Sequence, residues 1–166
     1  MSVRILTSAD ASAFRTLRLR ALQEHPDAFT SSFEEDAEKP LSATEQRLAG
    51  ESGNVFWGAF VDGGLQGIVG LTREPRTKNR HKGHVVAMYV APESGRRGLA
   101  RALLQAVIDY ARNASGLEQL VLTVTHSNEG ATELYRVAGF KAFGLEPRAM
   151  KVAGEYFDKE HMILFL

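Results

Sequence analysis

The 166-residue sequence contains no cysteine. That rules out disulfides, thiolate metal ligands and a cysteine nucleophile, and removes one reason to expect secretion. It carries no net charge either, because 20 basic side chains balance 20 acidic ones. Such a chain sets up no long-range field toward nucleic acid or an anionic membrane, so neither is expected as a partner and any basic function must be local. Long apolar runs are also missing. Nothing approaches the roughly 18 apolar residues of a membrane span, and the opening MSVRILTSADASAFRTLRLR is broken by charge before a segment of signal-peptide length forms, so the expected location is cytoplasmic. There are no internal repeats and no low-complexity segments.

What is there is an ordinary globular composition, 44% hydrophobic and 24% charged, which can bury a core. The length suits a single domain over residues 1–166 and leaves no room for a second.

Ser2 to Leu6 alternates like a short strand. Ser8 or Asp10 can cap a helix with Phe14, Leu17, Ala21 and Leu22 on one face, and Pro26 stops it at His25. Asp27 to Lys39 shows no clean period. After Pro40, Ser42 and Glu45 have the spacing of a capping box, which predicts a short helix ending at Gly50. Asn54 to Val61 and Leu65 to Thr72 read as an antiparallel pair turned at Asp62, Gly63 and Gly64. A basic loop leads to a strand at His84 to Val90, stopped by Pro92. Leu99, Ala102, Leu103, Ala106, Val107 and Tyr110 then give the strongest helical pattern in the chain. Gln119 to Thr125 reads as a buried strand, and Asn128 opens a helix that Gly139 ends. Phe140 to Leu145 and Ala149 to Leu166, turned at Ala153 and Gly154, read as closing strands. The order implies a mixed α/β (α+β) fold.

The chemistry concentrates in VAPESGRRGLARALL, where a strand gives way to a glycine-opened helix. Free N–H groups at a helix start, with the dipole's partial positive charge, make an anion site. Gly95 and Gly98 let phosphate oxygens reach the main chain, and Arg96, Arg97 and Arg101 add charge, so a pyrophosphate is the expected ligand. The P-loop and the dinucleotide fingerprint both fail on spacing. Taken alone, the segment would read as a turn with solvated arginines. Its context is NEGATELYRVAGF, some thirty residues on, with Asn128 at a helix start, Tyr135 inside it and Gly139-Phe140 at its end.

Together, Met88 to Leu104 followed by Asn128, Ala131, Leu134, Tyr135 and Gly139-Phe140 resemble the two signature motifs of the GNAT acetyltransferases. The resemblance is specific over roughly Gln66 to Phe140 and agrees in element order with the rest. It implies a mostly antiparallel twisted sheet of about seven strands flanked by about four helices. It further implies transfer of an acetyl group from acetyl-CoA to a primary amine, with no metal. The backbone of Met88, Tyr89 and Val90 would pair with the pantetheine arm and aim one N–H at the thioester oxygen. Gly95, Arg96, Arg97, Gly98, Leu99, Ala100 and Arg101 would hold the pyrophosphate, and Asn128 with Ala131 would meet the arm from the next helix. Tyr135 would stand near the sulfur as proton donor, although helical spacing alone would make it packing. In one departure, Gly95 stands where the pattern usually has Arg or Gln, and Arg96 follows one position later.

The acceptor site is expected among Phe29, Phe33, Glu34 and His84, with Trp57 and Tyr156 as further aromatic candidates. Aromatics of this kind are more often core, and the acidic run Glu34, Glu35, Asp36 and Glu38 could either attract a cationic acceptor or be a solvated face. The general base is not identified; His126, like His84, is only a candidate. The acceptor is expected to be a small-molecule or peptide amine. The alternatives are a protein N-terminal or lysine acetyltransferase and a non-catalytic acyl-CoA sensor. The closing strands could help shut the acceptor site, form a homodimer, or simply make an edge.

Overall fold

The computed structural model describes residues Met1–Leu166. In chain order the elements are β1 (Ser2–Ile5), α1 (Ala11–Glu24), α2 (Phe33–Glu38), α3 (Leu41–Leu48), β2 (Val55–Val61), β3 (Gly64–Arg73), β4 (Lys82–Val90), α4 (Leu99–Asn113), β5 (Gln119–Thr125), α5 (Glu129–Val137), β6 (Lys141–Val152) and β7 (Glu155–Phe165). The strands form one seven-stranded sheet in the order β1-β2-β3-β4-β5-β7-β6. Every neighbouring pair is antiparallel except β4 with β5. This is the mixed α/β, mostly antiparallel architecture that the sequence implied.

Helices cover both faces. The stripe Leu99, Leu103, Leu104, Val107, Ile108 and Ala111 of α4 is buried against Trp57, Val69 and Leu120 on one face. On the other, Phe14, Leu17 and Ala21 of α1 pack on Phe56, Ile68 and Tyr89. Adjacent Phe56 and Trp57 fall in opposite layers because strand side chains alternate. At roughly 1.5–3 kcal/mol for each fully buried Leu, Val or Ile, such stripes outweigh helical propensity, worth only tenths per residue.

The structure adds a helix and corrects a cap. There are five α-helices rather than about four, the extra one being α2 in the segment without a period. Ser32 Oγ accepts from the Glu35 backbone N–H at 3.1 Å, and the Glu35 carboxylate accepts from the Ser32 N–H at 2.9 Å. The capping box of this region is therefore there and not at Ser42 and Glu45. Those two residues lie inside α3, whose cap is Pro40; with φ already near the helical value and no N–H to satisfy, proline suits that end.

What positions the site is the failure of β4 and β5 to stay together. Their pairing covers only Lys82–His84 against Gln119–Val121. Past that point β4 bulges: its register with β3 shifts between Ile68 and Gly70, and Ala87 takes a left-handed φ of 56°. Val86 and Ala87 both face the α1 layer, whereas Val85 before them and Met88 after them face α4. A non-glycine residue held there costs roughly 1–2 kcal/mol.

Candidate active site

Asn128 caps α5, its side chain accepting from the Ala131 N–H at 3.1 Å. This fixes the helix beside the end of β5 and brings Tyr135, two turns on, into the gap between the parted strands. Tyr135 is 7% exposed and meets the Phe140 ring edge-on at 5.9 Å. Burial alone raises its pKa, so the phenol stays protonated through neutral pH, the state a proton donor needs.

The gap forms a cleft of about 290 Å³ bordered by β4, β5, α5 and the loop before α2. The loop is pinned from below at two points. Thr125 Oγ1 donates to the Asp27 carbonyl at 2.6 Å, and Lys159 Nζ donates to Thr30 Oγ1 at 2.7 Å. A second groove runs between α4 and α5, lined by Gly98, Arg101, Leu134 and Val137 among others. At its end Gly98 caps α4 with φ 77° and no side-chain cap, so the N–H groups of the first turn have no intrahelical partner. Arg96, Arg97 and Arg101 are exposed around it. Gly95 has an ordinary φ of −60°, but a methyl added there would sit 3.1 Å from the Pro92 carbonyl oxygen, which accepts the Gly95 N–H at 3.0 Å. A small residue at that position keeps the turn tight.

Of the expected residues, Met88, Asn128, Ala131, Tyr135 and Phe29 border the cleft, and Gly98 and Arg101 border the adjoining groove. Leu99 is a core anchor and Ala100 is half-buried. The Val90 side chain packs in the α4 layer. Tyr89 points its side chain into the α1 layer, where its hydroxyl donates to Glu24 Oε2 at 2.7 Å. Burial and that carboxylate push its pKa up to about 12, and only its backbone is left for the cleft. Phe33, Glu34 and His84 do not border the cleft. Phe33 opens α2, Glu34 is exposed, and His84 Nε2 lies 2.8 Å from Glu74 Oε1 where β4 still pairs with β5. Trp57 is core, Tyr156 is 51% exposed, and His126 lies in a separate polar hollow beside Glu129 and Glu160. The acidic run is divided: Glu35 serves the cap, while Asp36 turns inward to Arg18 and Lys39.

The three charged residues of the cleft, Arg18, Arg47 and Lys159, escaped the sequence reading. Burial lowers the pKa of each. Only Arg18 had a signal, a charge lying within the apolar stripe Phe14, Leu17 and Ala21 of α1.

The sequence profile of the Acetyltransferase (GNAT) family matches residues 19–140, which contain the bulged strand, the glycine-opened helix and Tyr135. The chain belongs to the GNAT acetyltransferase family. It is 34% identical over 116 residues to N-alpha-acetyltransferase RimI of Mycobacterium tuberculosis, covering 69% of each chain. It is 30% identical over 160 residues to aminoglycoside N(6')-acetyltransferase type 1 of Stenotrophomonas maltophilia, covering 89% of this chain and 96% of that one. The crystal structure of a GNAT-family acetyltransferase from Streptococcus pneumoniae superposes with a TM-score of 0.91 at 25% identity over 99% of both chains. As a GNAT protein the chain is an acyltransferase with acetyl-CoA as its acyl donor. The donor fits the residues present: a strand edge without a partner, an uncapped helix start and three exposed arginines. No helix is long and apolar enough to cross a membrane, and no group of three or more His, Asp or Glu side chains is placed to hold a metal.

Proposed function

We propose that this GNAT enzyme transfers the acetyl group of acetyl-CoA to the primary amine of a small molecule, by direct attack within a ternary complex. One observation carries the reading: the parting of β4 from β5 leaves the Val85–Val90 edge without a strand partner, and its Val85–Met88 part lines the same cleft as the buried phenol of Tyr135. Such an edge offers backbone N–H and C=O groups to the amides of the pantetheine arm, as an added strand would. One N–H from Met88 to Val90 would face the thioester oxygen; donors of this kind are worth about 2.7–4 kcal/mol where they have been removed elsewhere. The segment from Gly95 to Arg101 would hold the pyrophosphate, with Asn128 and Ala131 against the arm.

The amine nitrogen attacks the thioester carbonyl carbon, forming the C–N bond, and collapse breaks the C–S bond. Tyr135 gives its proton to the departing sulfur, and the proton shed by nitrogen as it becomes an amide restores the phenol. Arg18, Arg47 and Lys159 border the cleft without an acidic residue among its lining, which disfavours the ammonium form of the acceptor and assists its deprotonation. The loop pinned at Asp27 and Thr30 forms one wall of the cleft, and a fixed wall favours a small molecule over a protein N-terminus. The expected homodimer would form at the edge strand β6, where Phe143 and Leu145 are exposed; sedimentation equilibrium decides it.

The test is release of free coenzyme A thiol across amino acids, polyamines, aminoglycosides and short peptides. Turnover well above background hydrolysis with a small amine is expected. Turnover with peptides alone would move the assignment to protein N-termini or lysines. Tight acetyl-CoA binding without thiol release across the panel would favour an acyl-CoA sensor.

A further inference from the structure

The cleft is short of negative charge. Arg18, Arg47 and Lys159 are the charged residues of its lining, and no carboxylate joins them. Arg18 is 8% exposed and stacks over Phe29 at 4.8 Å. Its Nε lies 3.3 Å from Asp36 Oδ2, a long contact, and Asp36 is shared with Lys39 at 2.8 Å. Its Nη1 is buried and has no partner, the one such side-chain atom in the protein. Arg47 is half-buried over the Phe56 ring at 4.6 Å and joins no ion pair. Both arginines also border a hollow beneath α2 that contains Asp36, whose carboxylate contacts Arg18 and Lys39 but not Arg47 and does not line the cleft. Lys159 is 7% exposed and reaches only the neutral Thr30 hydroxyl.

A buried guanidinium N–H left unmade is costly, and arginine cannot escape the cost by losing its proton. The fork of an arginine matches the two oxygens of a carboxylate. Nothing in the chain supplies that carboxylate on the cleft side.

We propose that Arg18 and Arg47 form a carboxylate subsite, and that the acceptor carries a carboxylate as well as its primary amine, as an amino acid does. The proposal rests on the acetyltransfer reading and narrows it. A polyamine or an aminoglycoside would bring more positive charge to a site already holding three cations. A single small carboxylate neutralises the pair, completes the orphaned donor and leaves the amine free to face the thioester.

The experiment compares matched sets of acceptors: methionine, methioninamide and 3-(methylthio)propylamine, and likewise lysine, lysinamide and cadaverine, with α-, β- and γ-amino acids to vary the spacing. kcat/KM for the acid is expected to exceed that for its amide and its decarboxylated amine by about 10²-fold. Arg47→Met is expected to raise KM for the acid and erase its advantage over the amide, while the affinity for acetyl-CoA stays unchanged. Arg18→Lys, which keeps the charge and loses the fork, is expected to give part of that loss. A second readout needs no turnover: the thermal shift of the coenzyme A-saturated protein with each amino acid and its amide, expected only with the acid. Equal turnover of acid, amide and amine would overturn the subsite and leave acetyltransfer standing. If no compound is acetylated, the acetyltransfer reading fails, and the subsite stands only if acids shift the loaded protein and amides do not. Preference for cadaverine, or neither turnover nor shift with any acid, overturns it.

Discussion

A phenol sealed between α5 and the sheet holds its proton more tightly than one in water, and that decides how Tyr135 must show itself in kinetics. A proton donor must start protonated, so in the proposed role any activity carried by Tyr135 is lost only as pH rises through its pKa; burial raises that value, placing the loss above the ordinary phenol range near 10. The kcat profile is expected to show no fall due to this residue between about pH 7 and 9. Tyr135→Phe is expected to lower kcat by about 10²-fold with the acetyl-CoA dissociation constant unchanged, read by steady-state kinetics and calorimetry. An unchanged kcat in the variant would remove Tyr135 as the donor, and a descending limb near pH 8 that vanishes in it would show a phenol titrating without the rise that burial imposes. Tyr135 was legible in the sequence because a whole motif surrounds it. Arg18, Arg47 and Lys159 were not, because they come together from α1, α3 and β7, and periodicity tells which face a residue occupies but not what stands opposite.

Among the elements, the start of α4 makes the sharpest claim. A methyl at Gly98 would meet nothing within 4 Å, so Gly98→Ala brings no clash within the protein. Its cost is the left-handed backbone, about 1–2 kcal/mol, which chemical denaturation would read. Because a relaxed φ there re-aims the first-turn N–H groups, acetyl-CoA affinity is expected to fall as well; a stability loss with unchanged affinity would detach the pyrophosphate from this turn. Helices α1, α4 and α5 were readable from their buried stripes and caps. Helix α2 was not, since six residues make under two turns and show no period. Its signal was the Ser32 to Glu35 spacing, and the same spacing at Ser42 to Glu45 misled because Pro40 had already set the start of α3.

At the scale of the molecule, strand count was legible and strand order was not. The final hairpin places β7, not β6, beside β5, and such long-range choices are made by packing rather than by local pattern. The sheet that results is joined at its middle by three residue pairs between β4 and β5. A donor bound along the unpaired edge stabilises the fold by mass action, about 2.7 kcal/mol at a hundredfold excess over its dissociation constant. For a chain of this size that is a rise in Tm of roughly 5–10 °C, measurable by scanning fluorimetry. A thioester of N-acetylcysteamine, which lacks the pyrophosphate, is expected to give a much smaller rise at equal concentration.

The three-pair junction also has a temporal side. Strands β1 to β4 form one leaf and β5, β7 and β6 the other, and on the proposed binding mode the spine between them is complete only while the donor lies in place. Amide protons of Val85–Val90 that exchange freely with deuterated solvent in the empty enzyme would be slowed on loading. If each turnover ends with the leaves letting go of spent coenzyme A, reopening of the spine is expected to clock the enzyme, and a pre-steady-state burst of free thiol would show it.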